Sequence, residues 1–520
     1  MRSQLAVSMT ESTASSRPIG FFGWLAILAG AVLLGYLVCY NIQHLHEHAH
    51  TPHEAPPLWG IGVLPFVALL GCIAVLPLLP ATHHWWESNL NRLGVALLCG
   101  GATLVYYYFA EGADSILPTL NHAVPAEYIP FIVLLFSLYV ISGGICLKGD
   151  LAAHPMTNTA FLAFGAIIAS FVGTTGASML LIRPLLQTNS ERKHVVHTVV
   201  FFIFLVSNIG GCLLPIGDPP LFLGYLRGVS FFWTFHLWIE WAVCCGILLV
   251  IYLALDTFFY KKEAMFDLRR DETQKQPLRL SGMINILWLA GIVACVAAVS
   301  HQRPLPGTDW TPFPFLREIL MFVLVGLSLV TTPKGVREEN RFNYAAILEV
   351  AALFIGIFIA MQAPIGVLRV YGPELGLTEP WHFFWATGSL SSFLDNAPTY
   401  VVFFETARSF QEEALATTVI REPLLIGISL GAVFMGAMTY IGNGPNFMVK
   451  AIAEQSGVKM PSFFGYMFKY SIPLLIPVFF LITIIFLTES RQPPPADPAR
   501  AGETPAVQVE TTPAHDAGGH

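Results

Sequence analysis

Charged residues are scarce in this chain. Asp, Glu, Lys and Arg make up 12% of its 520 residues, against 54% hydrophobic. About ten apolar stretches run for 18 residues or more, too long for the core helices of a soluble protein. A soluble globular fold is thereby excluded, and the chain reads as a polytopic membrane protein. Its net charge of −7 says little, because orientation in a membrane follows the placement of Lys and Arg rather than their sum. Cysteine is sparse too: Cys39, Cys72, Cys99, Cys146, Cys212, Cys244, Cys245 and Cys295 lie inside or at the ends of apolar runs, with no C-x-x-C spacing. They read as small packing residues rather than as a redox or metal centre. A phosphate-binding loop, a catalytic triad and a nucleic-acid patch are all missing, so an enzyme, a bound cofactor or metal, and a nucleic-acid partner are not expected.

What stands out instead is a pair of strings that a membrane span should avoid, I-G-D-P-P-L-F at Ile216–Phe222 and I-G-N-G-P-N-F at Ile441–Phe447. Proline lacks the amide donor and glycine is a poor helix former, so each string breaks its helix and frees backbone carbonyls at membrane depth. Broken helices in matching positions of two halves point to the binding site of a secondary transporter. Spans are expected near 20–40, 61–79, 91–110, 129–147, 195–225, 236–256, 283–300, 318–331, 345–362, 423–448 and 468–488. The first of these, Phe21–Tyr40, is longer than a signal-peptide core and has no convincing cleavage site. Two further apolar stretches, 160–187 and 382–408, carry G-T-T-G-A-S (Gly173–Ser178) and S-S-F-L-D-N-A-P-T (Ser391–Thr399) in their middles and read as re-entrant hairpins.

The fold expected is an all-α polytopic membrane protein of about 11 transmembrane helices, an inverted repeat with two re-entrant hairpins and two broken helices. Lys261, Lys262, Arg269, Arg270, Lys275, Arg279, Lys334, Arg337, Arg341, Lys450 and Lys459 fall in loops that the parity of spans places on one side. That side is cytoplasmic by the positive-inside rule, which leaves the N-terminus inside and the C-terminus in the periplasm, in an inner membrane. The halves align along their length: Tyr128 with Tyr344, Ala177 with Ala397, Gly217 with Gly442, and Ser230-Phe231-Phe232 with Ser462-Phe463-Phe464. The boundaries follow as residues 1–127 for the N-terminal spans and an external loop, 128–256 for the first repeat, 257–343 for linking spans and loops, 344–488 for the second repeat, and 489–520 for a Pro-rich, disordered tail.

A carboxylate at the bilayer centre costs several kcal/mol, with roughly 3 as a lower estimate, so an acid there is functional by default. Asp218 lies in the first break and Asp395, beside Asn396, at the tip of the second hairpin. Around them Ser178, Thr174, Thr175, Ser207, Asn208, Ser392, Thr399, Asn443 and Asn446 supply neutral oxygens, the ligands a hard cation such as sodium favours. Each acid could also simply cap its half-helix, and the hydroxyls and amides could simply bind helices together. Glu349 and Glu405 are proton-relay candidates of lower rank, Arg183 is expected to pair with a carboxylate or to snorkel, and Glu240 and Asp256 read as span-end residues. The loop after the first span carries His44, His46, His48, His50 and His53. It reads as a solvated external loop, with zinc binding or pH sensing as the alternative.

These motifs resemble the ion transporter superfamily, and within it the NhaD-type sodium/proton antiporters, in which a glycine-rich segment leads into I-G-D and the second half carries an acid-Asn hairpin tip. Here they stand as N-I-G-G-C-L-L-P-I-G-D-P-P (Asn208–Pro220) and S-S-F-L-D-N-A-P (Ser391–Pro398), within a region from Tyr128 to Leu487. Dicarboxylate carriers of the superfamily show Ser-Asn-Thr at both tips, whereas this chain has T-G-A-S and D-N-A-P, and two prolines follow I-G-D where NhaD proteins continue with threonines. The resemblance implies a Na+ or Li+/H+ antiporter in the lipid bilayer, with monovalent cations and protons as its partners and a homodimeric assembly. Desolvation favours a proton on a carboxylate and a bound cation favours the ionised form, so the two ions compete. A sodium-coupled carrier of a dicarboxylate or an arsenite-like oxyanion is the alternative, and a membrane sensor or scaffold without transport the second.

If the repeat is inverted, Ser190, just after the first hairpin, and Gln411, just after the second, lie on opposite sides, as Arg192 and Lys193 against Glu412 and Glu413 suggest. Single cysteines at these two positions in a cysteine-free background are expected to label from opposite sides with an impermeant thiol reagent. Labelling from one side would break the two-fold relation.

Overall fold

The structure is a computed structural model that describes residues 57–77, 79–266, 276–300, 304–305, 307–410 and 420–488. The span expected at 20–40, the histidine loop, Gln411 and the tail lie outside the described residues. The fold is all-α and polytopic. Helices α1 (Trp59–Val75), α2 (Asn89–Glu111) and α3 (Ile129–Ser142) precede a hairpin of α4 (Pro155–Val172) and α5 (Thr174–Thr188). A broken span follows, α6 (Val196–Leu205) and α7 (Pro219–Leu226), and then α8 (Trp238–Tyr260). Helices α9 (Ile284–Ala298) and α10 (Leu316–Thr331) link to the second half. There, α11 (Ala345–Ala360) bends into α12 (Gln362–Tyr371), and a second hairpin of α13 (Pro380–Ser391) and α14 (Asn396–Arg408) leads to a second broken span, α15 (Glu422–Met435) and α16 (Gly444–Gln455), before α17 (Ile472–Phe486). Every span expected between 61 and 488 contains a helix, and both hairpins turn where the polar strings lie.

Among the described residues six continuous helical stretches are long and apolar enough to cross a membrane, and α11 with α12, bent by 42°, can make a seventh. Leu98, Phe109, Val250, Val330 and Phe480 stand exposed on outer helix faces, a placement that suits a lipid environment. Among the described residues a two-stranded ribbon, β1 (Cys146–Asp150) antiparallel to β2 (Gln276–Ser281), ties the end of α3 to the start of the linking helices.

The equivalent helices α3 and α11 run antiparallel. Tyr128 at the start of α3 meets Phe358 near the end of α11, Phe131 stacks on Phe354 with ring centroids 4.9 Å apart, and Tyr139 near the end of α3 meets Phe342. Tyrosine hydroxyls at both ends, on Tyr128 and Tyr139, donate to the carbonyls of Ala351 and Asn343 at 3.0 and 2.8 Å. Two equivalent elements in opposite directions are what an inverted repeat requires. The half-helices are exchanged between repeats as well: α7 packs on α14, and α16 packs on α5.

Close backbone approach accounts for the glycine in both strings. In the first, a Cβ on Gly217 would strike the carbonyl of Gly211. In the second, the counterpart Gly442 sits as close to the carbonyl of Gly436. Each break therefore folds its backbone back on itself, and Pro219 and Pro445 then open the next half-helix, where the missing amide costs nothing. Overpacking of this kind costs about 1–3 kcal/mol. Gly217→Ala is expected to lower the melting temperature of the detergent-purified protein by several degrees. Gly326→Ala, in α10 with open space around it, should leave the temperature unchanged or slightly raised. Equal melting of the two variants would refute the close approach.

Candidate functional site

The tips of both hairpins and the breaks of both spans converge on Asp218. Its side chain is 1% exposed. One carboxylate oxygen accepts from the Thr174 hydroxyl at 2.8 Å and from the Asn443 amide at 3.0 Å, and the other accepts from the Asn396 amide at 2.5 Å. The three donors come from three different elements: the first hairpin, the second break and the second hairpin. Backbone closes the same junction, since the Thr174 amide donates to the Gly217 carbonyl at 2.8 Å. Asp218 stands at the start of α7 yet makes no side-chain cap bond to its own helix, so capping does not account for it.

Further polar groups extend the cluster. Ser178 and Ser207 share a hydrogen bond at 2.8 Å, and the Asn443 amide also donates to the Ser207 carbonyl at 3.2 Å. Asn208 donates to Asn446 at 2.7 Å, while the Asn446 amide donates to the carbonyls of Gly436 and Thr439 at 2.8 and 2.9 Å. Two amide oxygens in this cluster, Oδ1 of Asn208 and Oδ1 of Asn396, are buried without a hydrogen-bond partner, and each such group carries a desolvation cost of about 1–3 kcal/mol. Both side chains border Gly436. Four half-helix N-termini, those of α5, α7, α14 and α16, begin at these residues, so their partial positive charge also falls on the cluster.

Not every expected ligand joins it. Asp395 caps α14, its carboxylate accepting from the Ala397 amide at 3.1 Å, and it is the neighbouring Asn396 that reaches Asp218. Thr399 donates to the Asp395 carbonyl at 3.0 Å, and Ser392 to the carbonyls of Gly388 and Met435 at 2.8 and 3.2 Å. These two hydroxyls serve backbone carbonyls. Thr175 lies one residue beyond Thr174 and is partly exposed.

Among the hydroxyls absent from the expected set, Ser170 and Thr439 help to hold the breaks. Ser170 donates to the Gly210 carbonyl at 2.6 Å and accepts from the Leu213 amide at 3.0 Å. Thr439 does the same in the second half, donating to the Ser392 carbonyl at 2.5 Å and accepting from the amides of Ile441 and Gly442. Their signal in the sequence is a lone hydroxyl close to a helix break, where freed carbonyls need a donor.

The remaining described charges are mostly paired. Asp256, four residues from the end of α8, is fully buried and bound by Arg192 at 2.6 Å and by His197 at 2.7 Å. Glu405 is buried between Arg227 at 3.4 Å and Arg369 at 3.3 Å, and Arg227 also binds Glu127 at 2.5 Å, so this acid belongs to an ion-pair network. Glu349 pairs with Arg92 at 3.0 Å. Arg183, expected to pair with a carboxylate or to snorkel, lines a cavity toward the end of α5. Among the described residues no group of three or more His, Cys, Asp and Glu could hold a metal ion, and the seven described cysteines are free.

Residues 55–487 match the family described as "Putative citrate transport". No curated protein matches the chain. The match covers most of the sequence, and the chain belongs to this family, a family of ion-transporter type.

Proposed function

We propose that this family member is a secondary active transporter in which Na+ (or Li+) and H+ compete for Asp218, and that it works as a cation/proton antiporter of the inner membrane. One observation carries the reading. A fully buried carboxylate sits where both repeats meet, its bonded donors are a hydroxyl and two amides with no lysine or arginine among the described residues pairing with it, and two neighbouring amide oxygens have no donor. Oxygen-rich surroundings with one negative charge suit a small hard cation. A carboxylate holds a proton or a cation, so occupation by one expels the other. Asn208 and Asn396, whose oxygens lack partners, are the neutral ligands proposed beside Asp218, with the Ser207 carbonyl and the Ser178 hydroxyl next in line.

Asp395 has a supporting role in this proposal. Its carboxylate fixes the start of α14 and so aims Asn396. Movement would come from the hairpin-bearing bundle shifting against the remaining helices. The hydrogen bonds from Thr174 and Asn396 to Asp218 are then the contacts that break and re-form.

The family's description favours a second reading, in which the same cation site is coupled to the movement of a carboxylate anion. The two readings differ in what accompanies the cation. In proteoliposomes holding a pH dye, Na+ and Li+ pulses are expected to move protons while K+ does not. Asp218→Asn keeps volume and hydrogen-bonding atoms and should abolish that signal in a protein that still folds. Asp395→Asn retains a capping oxygen and should weaken exchange less than Asp218→Asn. Normal exchange by Asp218→Asn would overturn the site, and sodium-dependent uptake of labelled citrate without proton release would favour the carrier.

A further inference from the structure

Helices α5 and α16 start at the Asp218 cluster and end, a helix length away, at a cavity of about 710 Å3. Six basic side chains line it, Lys148, Arg183, Arg192, Lys193, Arg341 and Lys459, against one acid, Glu339. Part of this charge is spent. Arg192 is bound to the buried Asp256 at 2.6 Å, and Lys148 to Glu339 at 3.0 Å. Arg183 and Arg341 are placed differently. Both line this one cavity, and Nη1 of Arg183 is buried with no hydrogen-bond partner. A buried guanidinium nitrogen left without an acceptor is costly, and a second arginine beside it adds repulsion. The backbone adds to the cost, since Arg341 stands at φ 49°, a left-handed conformation that a non-glycine residue seldom adopts. Such strain is concentrated where a side chain has a task to perform.

We propose that this cavity binds a small multivalent oxyanion, a polycarboxylate or a phosphate, gripped between the guanidinium groups of Arg183 and Arg341, with Lys459 at the exposed rim. An anion there supplies the missing acceptor for Arg183 and cancels the repulsion between the two arginines. Planar guanidinium forks match carboxylate and phosphate oxygens in paired hydrogen bonds. The volume falls within the range of small-molecule sites, about 300–1,000 Å3. Arg183 lies nine residues beyond Thr174 on α5, about 14 Å along the helix at 1.5 Å per residue. The anion therefore binds toward the far end of α5 and not at the Asp218 cluster. This site goes beyond cation/proton exchange at Asp218 and does not depend on it.

The test is the melting of the detergent-purified full chain against citrate, inorganic phosphate and short-chain phosphatidylglycerol, each at constant ionic strength with chloride as the control. A saturable rise in melting temperature is expected with at least one probe and none with chloride. Citrate or phosphate as the active probe assigns a soluble anion, and phosphatidylglycerol alone assigns a lipid headgroup. Arg183→Gln combined with Arg341→Gln should weaken the apparent affinity about tenfold or more, as the loss of a charge-assisted pair does. Lys459→Gln, at the rim, gives a smaller loss and serves if the double variant does not fold. Asp218→Asn should bind the anion normally, so a failure of the exchange reading is told apart from a failure of this one. Absence of a saturable effect with every probe, or an undiminished effect in both arginine and lysine variants, would overturn the proposal.

Discussion

A carboxylate enclosed within a membrane protein has no bulk water to satisfy it, and much of the architecture around Asp218 answers that requirement. Its oxygens accept from Thr174, Asn443 and Asn396, which no single helix could supply. Each donor must be brought from a separate element, and each element must end near the same point. Hairpins and broken spans are the means of ending a helix inside an apolar slab, because the freed backbone groups can then be turned toward protein rather than lipid. Ser170 and Thr439 complete that arrangement by binding the carbonyls and amides which the breaks release.

Two-fold construction divides the work unequally. Where the first half has Asp218, the second has Asn443 at the matching position of its string. One half contributes the charge and the other contributes a donor to it. A second aspartate at Asn443 would place two carboxylates against each other within hydrogen-bonding range, where like charges repel strongly. The hairpin tips differ in another way, both donating to Asp218 but with a hydroxyl from Thr174 at the start of α5 and an amide from Asn396 at the start of α14. The backbone is repeated, and the chemistry is not.

The helices, both hairpins and both breaks are legible in the sequence because glycine, proline and polar residues interrupt an apolar run only where the helix itself gives way. Most of the cluster is legible on the same ground. The distinction between Asp395 and Asn396 is not, since two neighbouring residues at a helix start face different ways, and only the three-dimensional turn decides which becomes the cap. Residue chemistry favours the acid over the amide, although the amide is the one that reaches Asp218. Asp256 and Glu405 escape a reading of the sequence because their partners, Arg192, His197, Arg227 and Arg369, are distant along the chain. A buried charge announces that it has a partner and not which partner it has. Arg183 shows the reverse, a basic residue on a hairpin arm whose environment is a cavity and whose role cannot be inferred from its neighbours in the chain.

The exchange of half-helices between repeats bears on how the molecule is made. Asp218 enters the membrane long before two of its three donors do, since Asn396 follows it by 178 residues and Asn443 by 225. At ribosomal speeds of about 5–20 residues per second, Asn443 arrives about 11–45 seconds later. Through that interval the first break has only Thr174 to satisfy its acid. The nascent first half must therefore keep Asp218 neutral, hydrated or sheltered by the insertion machinery. Biogenesis, and not only transport, thus calls for a carboxylate that tolerates more than one state.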